Sequence, residues 1–285
     1  MEAKGTPPLL CVDGPWVLYR SFFGLPKTIT GAGGRPVGAL LGSVNLILAQ
    51  VAAHAPRAVV VCDGAEAAAY RTAAYPGYHA DREPPPDALA WQFEQAPGLW
   101  RAFGWQYVTT AEHEADDLLG AYARAETTAA GRTLLLTGDR DMYQCVSDSV
   151  AVLYPERGGD GPALIDPAAV KERYGVSPGQ VPDFIALRGD PSDGLPGARG
   201  IGAKTAATLL TEHGDLEGVI AAAGNLGRFA TTVGEQAGEL RAFKRIATLA
   251  PLDVERPADR ATDTAAGAEA AETLGMRALA RRLRS

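Results

Sequence analysis

Nine acidic residues fall into groups whose spacing could do metal chemistry: Asp13, Asp63, Glu114, Asp116, Asp117, Asp139, Asp141, Asp190 and Asp193. Brought together, they would repel, because neighbouring carboxylates cannot all stay ionised without cations among them. A donor set made only of oxygen suits Mg2+ or Mn2+ rather than Zn2+. Nine acids exceed what one Mg2+ can use, since that ion keeps several of its waters. Two ions, each partly hydrated and placed to bind a phosphodiester, are the natural reading. Each group also has an ordinary explanation. An Asp after a strand is common turn chemistry, and acids in a first helical turn stabilise the helix dipole. The repetition favours the metal reading: LLCVDG, AVVVCDG and TLLLTGD each carry an Asp at or just beyond the end of an apolar run.

Other chemistries fail on spacing. GARGIGAKT at 197–205 resembles a phosphate-binding P-loop, but position 203, before the Lys, is Ala instead of Gly. The dinucleotide pattern fails where Thr205 stands in place of a third Gly. The four His are scattered and pair with no nucleophilic Ser or Cys. The segment from Leu195 to Ala206 remains. Its glycines, Gly197, Gly200 and Gly202, allow a tight hairpin with exposed amides, followed by a helix start near Lys204 and Thr205. Such a hairpin holds a backbone phosphate without reading bases. A metal-dependent cut in one part and a sequence-blind duplex grip in another suggest a structure-specific nuclease.

The elements that must position these residues follow from the apolar pattern. Leu9–Val12, Ala58–Val61 and Thr133–Leu136 read as strands; Val37–Val51, Leu89–Phe103 and Ala115–Ala125 read as helices. Alternating runs of this kind predict an α/β fold with a mainly parallel sheet covered on both faces. In such a sheet the carboxyl ends share one rim, where ligands bind. Glu114 and Asp117, three apart, would share a helix face, with Asp116 turned about 100° from Asp117. The expected division is an α/β part over 1–166 and a helical, duplex-binding part over 167–285. The helical part is expected to run through Val181–Arg188 and Lys204–His213. A loosely packed link over 257–273 and a last helix at Leu274–Leu283 should follow.

Composition is globular, with 46% apolar and 21% charged residues. No apolar run reaches the ~18 residues of a membrane span, and the first residues lack a secretory signal pattern. A cytoplasmic, nucleoid-associated monomer with no membrane partner is expected. Cys11, Cys62 and Cys145 have no zinc or redox spacing and read as inert thiols. The net charge of −7, taken alone, disfavours a nucleic-acid partner. Setting the nine clustered acids aside leaves the remainder slightly basic, and bound cations would cancel those nine.

The ordered motifs VDGPWVLYRSF (12–22), VVCDG (60–64), YRTAAYPGYHADR (70–82), HEADDLL (113–119), LLLTGDRDMYQ (134–144) and LRGDPSDGLPGARGIGAKTAATLL (187–210) resemble the bacterial and phage 5′ nucleases. That family includes flap endonucleases and the 5′→3′ exonuclease domain of DNA polymerase I; here a stand-alone member is expected. The resemblance implies Asp13, Asp63, Glu114 and Asp116 as one metal group and Asp139, Asp141, Asp190 and Asp193 as the other, with Asp117 between. It implies an arch over the active site at about 70–100, with Arg20, Arg71 and Arg82 contacting phosphates near the scissile bond. It also implies a helix-hairpin-helix-like motif at 195–206 that holds a K+ ion through backbone carbonyls. The implied substrate is DNA with a 5′ flap, a gap or nick, or a 5′ single-stranded overhang, cut near the junction in replication and repair. A protein that binds flaps or gaps but cleaves weakly, and an RNA-cutting relative, are the alternatives.

Two departures from the family stand out. His79 follows the arch Tyr78 where a Lys is usual, and His113 precedes EADD where Tyr is common. Read as an exposed arch cation, His79 would lose charge above neutrality, so His79→Lys is expected to speed cleavage there. Pro84-Pro85-Pro86 must break any arch helix. Tyr75, Tyr78 and Trp91 could stack on bases or pack internally.

Overall fold

The computed structural model describes residues 6–156 and 161–285. Six strands form one sheet: β1 (Leu9–Asp13), β2 (Ala58–Cys62), β3 (Gln106–Val108), β4 (Thr133–Leu136), β5 (Val150–Pro155) and β6 (Pro162–Ile165). Their order is β3-β2-β1-β4-β5-β6. The first five are parallel, and β6 runs antiparallel to β5. The three expected strands are the central ones. They are buried along their whole length, which is why they read as continuous apolar runs. The other three were missed because they lie towards the sheet's edges and are short or partly exposed. Gln106 and Leu164, for example, face solvent.

Alternate strand residues point to opposite faces. Leu9 and Cys11 join one apolar core with α5 (Ala115–Thr128); Leu10 and Val12 join a second. Around the second core lie α1 (Gly14–Gly24), α2 (Gly38–His54) and α4 (Asp87–Ala102), while the short α3 (Ala69–Ala74) lies in the segment expected to form the arch. Residues 82–86, which include the three prolines, have no regular structure, and α4 starts directly after Pro86.

The helical half comprises α6 (Pro167–Tyr174), α7 (Val181–Arg188), α8 (Ala203–His213), α9 (Leu216–Ala221), α10 (Ala230–Glu235) and α11 (Ala237–Ala247). It extends the first core through Phe184, Leu210, Leu240 and Phe243. The chain end departs from expectation. Residues 257–273 are not a loose link throughout, because α12 (Thr264–Thr273) is a packed helix, followed by α13 (Arg277–Arg284). Small residues allow this packing: Gly267 lies against the Phe103 ring, and Ala268 and Ala271 are fully buried. Both helices return to the second core, on the α/β part, and do not continue the helical half. No helix among the described residues is long and apolar enough to cross a membrane.

Candidate active site

At the carboxyl edge of the sheet is a cleft of about 870 Å³, lined by Asp13, Asp63, Glu114, Asp116, Asp139, Asp190 and Asp193, with Arg82, Arg140 and Arg188 among its basic residues. Parallel register explains the convergence. Asp13 pairs with Cys62, placing Asp63 one residue above it, and Leu136 pairs with Val12, placing Thr137 beside Asp13. Thr137 Oγ1 donates to Asp13 Oδ2 at 2.7 Å and accepts from the Asp139 amide at 3.0 Å. This buried threonine therefore joins the first strand's acid to the GDRD turn, a role its sequence does not advertise. Asp139 Oδ1 in turn accepts the Asp141 amide at 2.8 Å. Tyr107 of β3 donates to Asp63 Oδ2 at 2.5 Å.

Burial is the main influence on four of these acids, and their mutual repulsion adds to it. Asp13 is pushed up to about 7, with Asp139 and Asp63 adding to the rise and bonds from Trp16 and Thr137 opposing it. Asp139 is pushed up to about 6 by burial and then by Asp193. Asp116 is raised by burial, Asp139 and Asp13; Asp141 by burial, Asp139, Asp193 and Asp190. Asp139 thus feels carboxylates from both expected groups, including those of the helical half. Asp190 and Asp193 do reach back to the sheet rim. Among the described residues, however, no group of three or more acidic, His or Cys side chains closes around a point that could hold a metal ion.

Asp117 differs from the expectation, whereas Glu114 lines the cleft with the other acids while also anchoring its surroundings: Oε1 accepts the Ala68 amide at 2.7 Å, and Oε2 accepts Arg71 Nη1 at 2.5 Å and the Tyr78 hydroxyl at 2.8 Å. Asp117 is fully buried, does not line the cleft, and accepts from Arg71 Nη2, Tyr70, and the amides of Glu114 and Ala250. A carboxylate so engaged is an anchor for the arch, not a free ligand. Arg71 is corrected with it. Its side chain is 5% exposed and spans the two acids, and it does not line the cleft as a phosphate contact would.

The arch residues also move from their expected roles. His79 has φ +53°, and its side chain is buried rather than free in solvent. Its Nδ1 lies 2.9 Å from the Glu66 carbonyl oxygen, its Nε2 3.1 Å from Asp193 Oδ1, and its ring stacks on Tyr78 at 3.8 Å. His79 clasps the arch to the 190–193 turn, and the expected rate gain for His79→Lys, which assumed an exposed ring, loses its basis. Tyr78 is 3% exposed and Tyr75 packs edge-on to Phe243, so neither offers an open stacking face. Trp91 is partly buried beneath the Arg35 guanidinium. Arg82 stays half-exposed on the cleft, 3.4 Å from Asp193. Arg20 is exposed on α1 over Trp16, which lines the cleft, while Arg20 does not. Sequence reasoning missed Arg140 and Arg188, although both lie inside quoted motifs. It also missed the aromatic wall of Trp16, Tyr19 and Phe93.

In the hairpin, glycine is required at two of the three expected positions. Gly200 has φ +80°, as anticipated. Gly202, the residue before α8, has φ −92° and open space where a Cβ would stand. Gly197 is the tight point, with φ +68° and a Cβ position 2.3 Å from the Gly189 amide nitrogen. Lys204 is exposed and Thr205 partly buried at the first turn of α8. Gly197→Ala should therefore lower the melting temperature by several degrees and weaken duplex binding, whereas Gly202→Ala should leave stability near wild type. Equal melting curves for the two variants would show that the 189–197 approach is not rigid.

Two family descriptions match the chain. One is the 5′-3′ exonuclease N-terminal resolvase-like domain over residues 8–175; the other is the 5′-3′ exonuclease C-terminal SAM fold over 176–266. A 5′-3′ exonuclease of Mycobacterium tuberculosis is 36% identical, over 95% of this chain and 93% of that one. A 5′-3′ exonuclease of Streptomyces coelicolor is 40% identical, over 75% and 74%. DNA polymerase I of Mycobacterium tuberculosis is 37% identical over 77% of this chain, which spans only 24% of that protein's length. In fold, the chain is similar to the T5 D15 protein crystallised with metal ions, with a TM-score of 0.70, 18% identity and coverage of 97% and 96%. It is also similar to the catalytic core of Rad2 in complex with DNA substrate, with a TM-score of 0.63, 12% identity and coverage of 97% and 92%. Both domain descriptions apply in order, and a relative aligns over nearly the whole length: the protein belongs to the 5′-3′ exonuclease family.

Proposed function

We propose that this protein is a structure-specific 5′ nuclease that hydrolyses DNA phosphodiesters near single-strand/duplex junctions, such as those arising in replication and repair. The observation that carries the reading is the cleft itself. Acids that follow three central strands and acids from the helical half line it together with Arg82, Arg140 and Arg188. A cation would offset the repulsion among these buried carboxylates, and the all-oxygen donor set fits Mg2+ or Mn2+. Drawn in from their present positions around an ion, Asp13, Asp63, Glu114, Asp116 and Asp139 would serve one site, and Asp141, Asp190 and Asp193 a second, with water completing each shell. When bound, such ions supply a more acidic water and offset charge on the phosphate. The chain's own residues do the rest. Arg82, Arg140 and Arg188 offer guanidinium groups to the backbone phosphate. Thr137 and Tyr107 fix the orientation of Asp13 and Asp63. His79 holds the arch against the 190–193 turn. The hairpin before α8 grips the duplex, and its carbonyls could take a K+ ion.

A labelled 5′-flap duplex tests the reading with Mg2+, with Mn2+ and with chelator. Products that end near the junction should form with either ion and vanish with chelator. Tight flap binding without product under any condition would instead support a binding protein, and preferential cutting of RNA would support the RNA-directed relative.

A further inference from the structure

Three arginines line the acidic cleft, and they are held in two different ways. Arg82 lies 3.4 Å from Asp193. Arg140 and Arg188 make no ion pair among the described residues, although acids surround them. Arg140 stands between Asp139 and Asp141 in sequence, and Arg188 stands two residues before Asp190. Aromatic rings hold them instead. Arg140 lies over the Tyr154 ring at 5.5 Å, and its Nε donates to the Tyr154 hydroxyl at 3.2 Å. Arg188 lies over the Phe184 ring at 5.8 Å.

The two rings belong to one row. Tyr154, near the end of β5, meets Tyr143 edge-on at 6.0 Å; Tyr143 packs on Tyr174 at 5.5 Å, and Tyr174 stacks on Phe184 at 4.8 Å. Tyr143 and Phe184 are buried in the first core, so the row is anchored. Arg173 also lies over the Tyr154 ring, at 5.8 Å, but its charge is met by Glu156 at 2.5 Å. A phenol differs from an acid as a partner for Arg140. An acid would cancel the charge of Arg140 and take up a carboxylate that an ion would use, whereas a neutral ring attracts the cation and leaves its charge intact. The Tyr154 bond also engages Nε alone. Both Nη groups are left without a protein acceptor among the described residues, and that fork matches two oxygens of a phosphate.

We propose that Tyr154 is a positioning residue of the cleft, which holds Arg140 off the neighbouring carboxylates and presents its Nη fork to a backbone phosphate of the bound DNA. This rests on the proposed action on DNA and adds what keeps one of the phosphate contacts available in an acid-lined site. Tyr154 acts through Arg140 alone.

The test is a double-mutant cycle, read by single-turnover cleavage of a labelled 5′-flap duplex in Mg2+ at sub-saturating enzyme over a salt series. Arg140→Gln should slow cleavage by about tenfold, as for a lost charge-assisted contact, and lower the log–log salt slope by about 0.9, one phosphate's worth. Tyr154→Leu should have nearly the same two effects, although it removes no charge. In the Arg140→Gln background, Tyr154→Leu should add less than about a twofold loss. Tyr154→Phe keeps the ring and loses the Nε anchor, so its rate should fall between wild type and Tyr154→Leu. Rates are compared at equal folded fraction, set from denaturant curves, because Tyr154 also packs on the first core. If Tyr154→Leu does not fold, Tyr154→Phe carries the same cycle. Equal slowing with and without Arg140, or slowing at an unchanged salt slope, would make Tyr154 a packing residue and overturn the assignment. Wild-type rates in Arg140→Gln or in the Tyr154 variants would overturn it as well. If the wild-type protein cuts no junction under any condition, the proposed function itself fails instead.

Discussion

Asp139→Asn should abolish cleavage of a flap substrate while leaving duplex binding intact, and it should make the metal-free protein more stable. The loss of rate is expected to be about a thousandfold or more, about 4 kcal/mol of barrier, because Asp139 sits between both acid groups. Binding survives because the hairpin and the basic residues are untouched. The gain in stability follows from the direction of the pKa shift. Asp139 lies at about 6 in the folded chain, and burial is the main cause. A carboxyl whose proton affinity rises on folding contributes stability below its unfolded value, near 3.9. That contribution is lost as pH rises through about 6. Asp13, pushed to about 7, extends the window upward. At pH 8 without divalent ions, Asp139→Asn should therefore melt higher than wild type. Added Mg2+ should raise the wild-type melting temperature more than the variant's. A variant that melts lower without metal would show that Asp139 is satisfied by protein contacts alone, and retained turnover would remove it from the chemistry.

Arg71→Met should destabilise the protein by about 3–5 kcal/mol, because it leaves two buried carboxylates without their shared cation. Arg71 Nη1 meets Glu114 at 2.5 Å and Nη2 meets Asp117 at 3.0 Å, and all three side chains are almost wholly buried. Lysine should recover only part of the loss, since one ammonium cannot reproduce the two-pronged contact. Adding Asp117→Asn to Arg71→Met should recover part of it as well, by removing one orphaned charge. Denaturant midpoints for the three variants check this. Near-wild-type stability of Arg71→Met would mean that the guanidinium faces the cleft, as the sequence motif alone had suggested. Cleavage should fall in step, because the same guanidinium bonds to the Tyr78 hydroxyl beneath the His79 ring.

The two predictions mark the boundary of what the sequence could determine. The acid set around Asp139 was legible because period and position carry it: fully buried parallel strands read as unbroken apolar runs, and an acid at the end of each lands on one rim. The hairpin was legible because its glycines mark backbone that side chains would forbid, although which glycine is tight depends on the approach of residue 189. The last two helices were not legible as part of the α/β core. An Ala-rich, polar stretch gives a weak amphipathic signal, and α12 packs through small residues whose fit depends on the Phe103 ring. Arg71, Asp117 and His79 were misread for a related reason. A motif specifies residue types in order, but whether a charged group faces a cleft or another charge depends on partners distant in sequence. Glu114 lies 43 residues from Arg71, and Asp193 lies 114 from His79. Local spacing fixed which carboxylates would meet at the rim; only tertiary packing decided which of them already had a partner, because burying an unpaired charge costs more than any local preference can offset.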